Sequence, residues 1–536
     1  MAWVAPGLML MAALGKSGAA AFRIGCIAGL AFYLASLYWL LLIPVSFAPI
    51  IGWLALGGYL SIYPAIWVWL CWKLYPKQTP PELRPAGGQL AQFLELLDWF
   101  LATPWSKRLG WTVCCAALWV GLEMIRARLF TGFPWNLLGV SQYRILPIIQ
   151  IASVTGVYGV SFLMAWFSIS LASALVMLLR RPQVRWHAQR ELLLPFVITA
   201  AVVATGWWAL VQKAAVGSQS PESASQKPKI TAALIQPSIP QTWIWDPTES
   251  SNRFQQLLQL SAQALTNHPD VLIWPEAAVP YMLRFDEEIH TAVTNLVRTH
   301  KVWLILGSDD AEAQMRPNGS IATNFFNSSF LINPDGEVMA TYRKRRLVIF
   351  GEYIPFGRQF AFIESLTGMG SFTPGKRAVS FSMPDLHAKA AILICFEDAF
   401  PHLTRVSIDD DTDFLLDLTN NGWFGESAAQ WQHAANAVFR AVENGLPLVR
   451  CANNGLTCSV DSQGHMSDIF FPTTDNVYGV GFKLVEVPLL GEQKRPPTFY
   501  HQYGDWFGWC CVGLIGGVLV FQFGWERAGF KKLAAA

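Results

Sequence analysis

Three reactive side chains stand at the ends of apolar segments that are typical of β-strands. Glu276 ends VLIWPE, Lys344 follows a predicted β-hairpin in TYRKRRLV, and Cys395 ends AAILIC. An ionisable residue that closes an apolar strand lies at the edge of a sheet, where α/β proteins place their sites. A thiol with a pKa of about 8.5 is mostly protonated at neutral pH, so a nucleophilic cysteine needs a base or a cation nearby. These three residues would supply a nucleophile, a base and a cation.

Each residue alone also has a structural interpretation. Glu276 is suited to capping a following helix, Lys344 to a solvated surface and Cys395 to a strand core. The order of the surrounding motifs favours chemistry, because WPE, YRKRRLVIFGE and ICFE follow one another along the chain. Together they resemble the nitrilase superfamily, whose catalytic triad is Glu–Lys–Cys. The resemblance covers about residues 229–490.

Further motifs extend the resemblance to the whole chain. FTGFPW, IPQTWIWDP, LTNNGWFG and CANNGLT accompany several apolar segments, and this combination resembles the apolipoprotein N-acyltransferase family. The resemblance implies a multi-pass α-helical membrane domain plus an α/β nitrilase-like sandwich with α-β-β-α layers. The apolar pattern also favours strands interleaved with helices, and therefore a sheet-based sandwich with helices outside.

The resemblance assigns a role to each member of the triad. Cys395 would be the nucleophile, Glu276 the proton acceptor, and Lys344 the group that stabilises the thiolate and then the oxyanion. Attack on a phospholipid ester would give a thioester acyl-enzyme. The amine of a diacylglyceryl-cysteine would then take the acyl chain, which is a ping-pong mechanism.

Other residues are expected to support the triad. Glu352 would orient Lys344 or balance its charge, although a surface or ion-pair role is an alternative for it and for Glu397. Trp245 matches a functional tryptophan of the family, or it anchors the chain at a membrane interface. The remaining expected site residues are Phe396, next to the nucleophile, and Phe133, Pro134 and Trp135, which would form a substrate loop.

The sequence departs from the family pattern in three places. Phe396 replaces a common tyrosine, so any role of that hydroxyl is absent. Asn421 stands where an acidic residue is frequent. The chain also begins near what resembles the family's second helix, so the first helix is expected to be missing.

Composition indicates a membrane protein. Hydrophobic residues make up 53% of the chain, charged residues only 14%, and the mean hydropathy is +0.32, whereas soluble domains carry roughly 25% charged residues. The net charge of +2 gives no reason to expect nucleic-acid binding. No cleavable signal peptide is evident, so the apolar segments should remain in the protein. Spans of about 20 apolar residues are predicted at 21–43, 50–72, 110–126, 148–179, 192–212 and 506–526.

Lysine and arginine in the loops predict the orientation. Basic clusters at 73–108, 180–190 and 527–532 are placed inside, so the middle domain lies outside. The predicted organisation is transmembrane helices in 1–213, a linker in 214–228, a nitrilase-like catalytic domain in 229–490 and a final transmembrane helix in 505–527. This predicts a multi-pass protein of the bacterial inner membrane with a periplasmic catalytic domain.

The expected partners are a phosphatidylethanolamine-like donor, a diacylglyceryl apolipoprotein acceptor and the bilayer, with the enzyme acting as a monomer. The chemistry requires no metal or organic cofactor, and none is predicted. The alternatives are a membrane-anchored amidase acting on small amides, which would need no lipid access to Cys395, and an inactive binding module, against which the intact triad argues. A transporter is disfavoured because the spans carry almost no charged residues.

Two cysteines of the middle domain flank a predicted turn. Asn454–Gly455 is predicted as a two-residue hairpin turn that places Cys451 directly opposite Cys458. An oxidising compartment would permit a disulfide between them, but free thiols are an equally valid expectation because cross-strand geometry is often poor for bridging.

Overall fold

The computed structural model describes residues 2–76, 89–180, 185–218, 228–315, 319–354, 371–471, 476–491 and 496–533. The chain forms two compact units. One comprises Met1–Tyr38, Ile50–Leu210 and Tyr503–Ala536, and the other comprises Trp39–Pro49 and Val211–Gln502.

The first unit is helical. Within the described ranges, five helices are long and apolar enough to cross a membrane, judged by length and composition: Gly18–Ser36, Ala48–Leu74, Trp105–Arg126, Val157–Arg180 and Gln189–Lys213, the last being part of the helix Arg185–Ser218. These confirm five of the predicted spans. The other helices near them are Ala5–Ala13, Gln89–Ala102, Leu146–Ile149, Ala152–Thr155 and Trp506–Leu533.

Small residues allow the helices of this unit to approach closely. The backbone N–H of Gly7 donates to Ser168 Oγ at 2.9 Å, and a Cβ on Gly7 would lie only 2.4 Å from the Ser168 carbonyl oxygen. Helix pairs in membranes commonly use small residues and hydroxyls in this way, because lipid provides no hydrophobic force between them.

The boundaries of three predicted spans differ from the helices. The span predicted at 21–43 ends at Ser36, and its final residues belong to a short 3₁₀ turn, Tyr38–Leu42. The span predicted at 148–179 is interrupted at Gly156, where φ is 66°, so only Val157–Arg180 is long enough to span. The span predicted at 506–526 lies on the helix Trp506–Leu533, and it stays a prediction.

The second unit contains two six-stranded sheets. Their strands are β1 (Lys229–Gln236), β2 (Val271–Ile273), β3 (Trp303–Met315), β4 (Ile321–Ile332), β5 (Val338–Arg343), β6 (Ser380–Met383), β7 (Ala388–Ile394), β8 (Phe414–Thr419), β9 (Leu448–Ala452), β10 (Cys458–Val460), β11 (Met466–Ser467) and β12 (Gly481–Pro488). The strand orders are β12-β1-β2-β3-β4-β5 and β11-β10-β9-β8-β7-β6.

The central strands of both sheets are parallel. In the first sheet β1, β2 and β3 run parallel, and in the second sheet β7, β8 and β9 do so. Parallel strands are covered on both faces, which is why their sequences are continuous apolar runs. Because the strands are parallel, their carboxyl ends meet at one edge of each sheet, and this edge carries the site.

The two sheets pack face to face between helices. Leu234, Ile273, Ile392 and Leu416 belong to the apolar core between the sheets. Neighbouring strand residues such as Leu272 point outward, into a second core formed with helices Ser250–Leu265 and Glu287–His300. Helix Ala429–Asn444 packs on β9 and β10, and short helices at Gln241–Ile244, Pro401–Arg405 and Phe499–Tyr503 complete the unit. The predicted α-β-β-α sandwich is confirmed.

Parts of the predicted organisation are not covered by the described residues. Residues 219–227 of the predicted linker 214–228 lie outside the described residues, whereas 214–218 continue the helix Arg185–Ser218. The segment Trp39–Pro49, predicted partly as a span, belongs instead to the second unit. There Trp39 Nε1 donates to Gln432 Oε1 at 3.0 Å.

The predicted direct pairing of Cys451 with Cys458 is wrong. Residues 453–457 form a longer connection than a two-residue turn, and Cys458 stands opposite Arg450. Successive strand residues alternate between the two faces of a sheet. Cys451 therefore faces the core between the sheets, where its thiol approaches the carbonyl oxygens of Ile235 and Ile273 at 3.4 Å, while Cys458 faces the other side. Both cysteines are free.

Candidate active site

The three predicted reactive residues follow three strands of the sandwich. Glu276 lies after β2, Lys344 directly after β5 and Cys395 directly after β7. Lys344 is only 2% exposed and Glu276 only 6%. The ammonium of Lys344 donates to Glu276 Oε1 at 2.9 Å and to Glu352 Oε1 at 2.8 Å. A buried lysine shared by two carboxylates excludes the solvated-surface interpretation of Lys344.

Burial and charge act in opposite directions on Lys344. Burial alone would lower its pKa, but the charges of Glu276 and Glu352 outweigh it and hold the pKa well above the usual value for lysine. The ammonium form therefore persists throughout the pH range in which the protein works. It is a fixed positive charge beside the two carboxylates.

The carboxylate of Glu276 is held by further donors that the sequence did not reveal. Asn327, in β4, donates its amide to Glu276 Oε1 and to Glu352 Oε1, both at 2.8 Å. The backbone N–H of Asn420 donates to Glu276 Oε2 at 2.8 Å. These contacts fix the direction of the carboxylate. Asn327 follows an apolar run in β4, but no spacing rule marks it as part of a site.

Cys395 occupies a sharp bend at the end of β7. Its φ is 53°, in the left-handed region that side chains with a Cβ seldom adopt. Removal from water raises the pKa of the Cys395 thiol, the charge of Glu276 raises it further, and Lys344 opposes both effects. The resting thiol is consequently protonated, so its use as a nucleophile requires a base.

Glu397 ties the bend at Cys395 to the segment after Lys344. Its Oε1 accepts the backbone N–H groups of Arg345 and Arg346 at 2.7 and 3.0 Å. Its Oε2 accepts the Ile394 N–H at 2.9 Å and the hydroxyl of Tyr342 at 2.7 Å. Glu397 is completely buried, and burial raises the pKa of its carboxyl. The surface alternative for this residue does not hold.

The other expected site residues lie in different surroundings. Phe396 packs edge to face on Phe400, with ring centroids 5.0 Å apart. Trp245 is 41% exposed, and its ring packs edge to face on Trp423 at 5.2 Å. The backbone N–H of Val348 donates to the second oxygen of Glu352 at 2.8 Å.

Phe133, Pro134 and Trp135 lie in the helical unit. There Trp135 is buried, and its ring centroid is 6.5 Å from that of Phe133.

A third acidic side chain lies beside Glu276 and Glu352. Asp309 of β3 stands opposite Asn327 of β4 in the antiparallel register, so their side chains share one face of the sheet. Burial raises the pKa of Asp309 to about 7, and the charges of Glu352 and Glu276 contribute to the rise. No sequence pattern singled out Asp309.

Two family models match the chain. Residues 231–473 match the carbon-nitrogen hydrolase family, and residues 1–170 match the apolipoprotein N-acyltransferase N-terminal domain. The first match covers the sandwich with the three strand ends, and the second covers most of the helical unit.

Curated relatives match along nearly the full chain. The apolipoprotein N-acyltransferase of Geobacter metallireducens is 32% identical over 533 residues, which cover 98% of this chain and 91% of the relative. That of Rhizobium rhizogenes is 30% identical over 521 residues, which cover 95% and 86%. Among solved structures, an amidase of the nitrilase superfamily from Nesterenkonia AN1 is 17% identical, with a TM-score of 0.36 over 48% of this chain and 90% of the amidase. The extent and identity of the curated matches show that this membrane protein belongs to the apolipoprotein N-acyltransferase family, whose members are acyltransferase enzymes.

Proposed function

We propose that this protein transfers an acyl chain from a phospholipid to the N-terminal amine of a diacylglyceryl-cysteine on lipoproteins. The observation that carries the proposal is the buried ammonium of Lys344, shared between Glu276 and Glu352, at the strand ends that also carry Cys395. The names and extent of the family matches support the acceptor.

The first half-reaction forms an acyl-enzyme. Glu276 takes the proton of the Cys395 thiol, and the thiolate attacks the carbonyl carbon of the phospholipid ester. The carbonyl oxygen becomes an oxyanion, which the fixed charge of Lys344 stabilises. The C–O bond of the ester then breaks, the protonated Glu276 returns the proton to the leaving alkoxide, and lysophospholipid departs. The acyl chain remains on Cys395 as a thioester.

The second half-reaction uses the same groups in the same order. The acceptor arrives as a neutral amine, attacks the thioester carbon and forms a second oxyanion next to Lys344. Glu276 accepts a proton from the attacking nitrogen while the C–S bond breaks, and it passes this proton to the departing thiolate of Cys395. Atoms and charge balance without a metal or an organic cofactor.

The supporting residues act through the triad. Glu352 and Asn327 hold Lys344 and Glu276 at a fixed separation. Glu397 connects the backbone before Cys395 to the backbone after Lys344. Phe396 packs below the bend without a hydroxyl to contribute.

The lipid-facing residues are assigned from exposure and family resemblance. The exposed ring of Trp245 is suited to contact an acyl chain or headgroup. Phe133, Pro134 and Trp135 would form a substrate loop, as the family resemblance implies.

We place the protein in the bacterial inner membrane, with the catalytic unit on the periplasmic side and the enzyme acting as a monomer. The charge pattern of the loops supports this orientation, because lysine and arginine collect at 73–108 and 180–190. The donor would be a diacyl phospholipid such as phosphatidylethanolamine. The proposed domain limits are 1–213, 229–490 and 505–527, and the first residues of the proposed linker 214–228 continue the helix Arg185–Ser218. Cysteine labelling from each side of intact membranes tests the orientation.

Mass spectrometry of the purified full-length protein tests the reaction. After incubation with phosphatidylethanolamine in detergent, we expect a mass increase equal to one acyl chain on the peptide that contains Cys395. Addition of a diacylated lipopeptide should remove the increase and give an N-acylated lipopeptide.

Two variants control this experiment. Cys395→Ser should show no adduct, whereas Cys510→Ser should behave like the natural protein, because Cys510 is an exposed thiol in a separate helix. Hydrolysis of small amides without an acyl adduct from phospholipid would favour the amidase alternative and refute the proposal.

A further inference from the structure

A buried histidine lies directly behind the nucleophile. His433, in helix Ala429–Asn444, is 1% exposed. Its Nε2 is 3.1 Å from the backbone carbonyl oxygen of Cys395, and its Nδ1 is 2.9 Å from Asn421 Oδ1. Neither the triad nor the supporting residues described above include it.

The partners of the ring determine where its proton lies. Nε2 of His433 is also 3.0 Å from Asp398 Oδ1, but the contact with hydrogen-bond geometry is the one to the Cys395 carbonyl oxygen. A carbonyl oxygen only accepts hydrogen bonds, so Nε2 carries a proton. Burial, followed by the charge of Arg450, lowers the pKa of His433 to about 3, so Nδ1 is unprotonated. Nδ1 is then an acceptor, which requires the Asn421 amide to be reversed so that its nitrogen, and not Oδ1, faces the ring. This orientation also gives the buried Asn421 nitrogen a partner.

The charged groups around the ring are balanced among themselves. The ionisable groups that face His433 are Asp398, Asp417, Arg450 and Glu276. The guanidinium of Arg450 contacts Asp398 Oδ2 at 3.1 Å and is also paired with Asp417. The ligand-type atoms of Asp398, Asp417 and His433 lie within 4.8 Å of one another, but Arg450 already supplies the positive charge there. The cluster therefore serves the protein rather than a cation.

The contact with Cys395 is made where the backbone is strained. A residue with a Cβ seldom adopts the left-handed region, and Cys395 lies there with a φ of 53°. A hydrogen bond to its carbonyl oxygen opposes relaxation of the bend. Relaxation would turn the sulfur away from the groups that activate it.

The second contact reaches the loop that holds the base. Asn421 directly follows Asn420, whose backbone N–H donates to Glu276 Oε2 at 2.8 Å. One neutral imidazole thus joins the carbonyl of the nucleophile to the loop that positions the proton acceptor.

We propose that His433 is a positioning residue that, as a neutral imidazole, holds the bend of Cys395 and the Asn420–Asn421 loop in register. This deepens the proposed acyl transfer and rests on it. His433 touches neither substrate nor the reacting atoms, so it affects the rate at which the Cys395 thiol reacts and not the binding of lipid.

Two conservative variants test whether His433 acts as a hydrogen-bond donor to Cys395 or only fills space. The amide nitrogen of glutamine in His433→Gln reaches the place of Nε2 and keeps a donor for Cys395. The shorter asparagine in His433→Asn cannot reach it. His465→Asn is the control, because His465 is an exposed residue of the turn between β10 and β11.

Two measurements in detergent compare the variants. The first is the second-order rate of alkylation of Cys395 by iodoacetamide, quantified on the Cys395 peptide across a pH series. The second is kcat and KM for N-acylation with phosphatidylethanolamine. Loss of one hydrogen bond of about 1.4 kcal/mol corresponds to about tenfold, so His433→Asn should lower both the alkylation rate and kcat about tenfold. KM should change little, and His433→Gln should recover most of the loss.

The outcomes are decisive in each direction. Equal rates for His433→Asn and the natural protein, or equal losses for the two variants, would overturn the proposal. If His433→Asn does not fold, Asn421→Ala replaces it, and an alkylation rate equal to that of the natural protein would likewise overturn the proposal. Alkylation requires neither lipid nor lipopeptide, so it still tests His433 if phospholipid proves not to be the donor.

Discussion

Replacement of Lys344 by methionine separates the structural and chemical roles of this residue. The ammonium lies 2.9 Å from Glu276 and 2.8 Å from Glu352, and all three side chains are buried. In Lys344→Met the two carboxylates retain Asn327 but lose their cation. The double variant Lys344→Met/Glu352→Gln removes one of the two like charges while keeping the size of the side chain.

The expected magnitudes follow from burial and distance. Breaking a buried ion pair costs about 3–5 kcal/mol, which corresponds to a loss in Tm of about 6–20 °C. Two unit charges about 5 Å apart repel by about 3 kcal/mol at an effective dielectric constant of about 20. Glu352→Gln should therefore restore a large part of the stability of Lys344→Met. It should not restore activity, because loss of a group that stabilises the oxyanion lowers kcat by about 10²–10³-fold.

The deficit in stability should depend on pH. In Lys344→Met, mutual repulsion raises the pKa of one carboxyl above its unfolded value of about 4.3. The stability of this variant is thus greatest below that pH and is lost as the pH rises through the raised folded value. We expect a larger difference in Tm from the natural protein at pH 8 than at pH 5.

Tryptophan fluorescence during heating in detergent measures these differences, together with the rate of N-acylation. Lys301→Met is the control, because Lys301 and its partner Asp335 are 68% and 75% exposed and such pairs contribute little. A double variant no more stable than Lys344→Met, or a deficit in Tm that does not change with pH, would refute the description of the site as two like charges sharing one ammonium.

Three further changes test neighbouring groups. Glu397→Gln should lower Tm and slow acylation, because an amide nitrogen cannot accept two of the four hydrogen bonds that the carboxylate receives. Each buried donor left unpaired costs about 1–3 kcal/mol of stability, so an unchanged Tm would contradict this. Asp309→Asn should raise Tm at pH 8 and not at pH 5. Burial, with the charges of Glu352 and Glu276, raises the pKa of Asp309 to about 7, so ionisation of its carboxyl destabilises the fold as the pH rises through that value. Equal changes in Tm at the two pH values would argue against this role of Asp309. Gly307→Ala should lower kcat more than a surface glycine replacement such as Gly319→Ala. The new Cβ at position 307 would lie 2.7 Å from the Cα of Glu276 and must displace this proposed base. An unchanged kcat would show that the backbone adjusts without moving Glu276.

The sequence predicted the layers of the catalytic unit because burial leaves a direct record in it. Strands such as β2 (VLI) and the AAILI end of β7 are covered on both faces and appear as apolar runs. The order of the strands leaves no such record. The antiparallel pairing of β1 with β12 joins residues more than two hundred positions apart, and nothing local to either strand encodes it.

The same distinction applies to the site. Glu276, Lys344 and Cys395 are ionisable residues at strand ends, so their types and positions were informative before the fold was known. Asn327 is an amide inside a strand, and His433 lies on a helix that is buried on nearly every side. Their importance comes from what they contact across the fold, and only the tertiary structure contains that information.

The backbone at the site also departs from ordinary strand geometry. Ala277, directly after Glu276, has a φ of 51°, and Cys395 has a φ of 53°. Each such residue costs about 1–2 kcal/mol, and neither position is a glycine, which would adopt the conformation freely. Glu276 must turn its carboxylate back over the sheet edge, and Cys395 must present its sulfur on a bend, which straight strand ends would prevent. The Asn420 N–H donates to Glu276, Glu397 accepts the Ile394 N–H, and His433 contacts the Cys395 carbonyl oxygen, and these hydrogen bonds oppose relaxation at both bends. At Ala277 and Cys395 the geometry that the proposed reaction requires thus overrides the ordinary backbone preference of these residues.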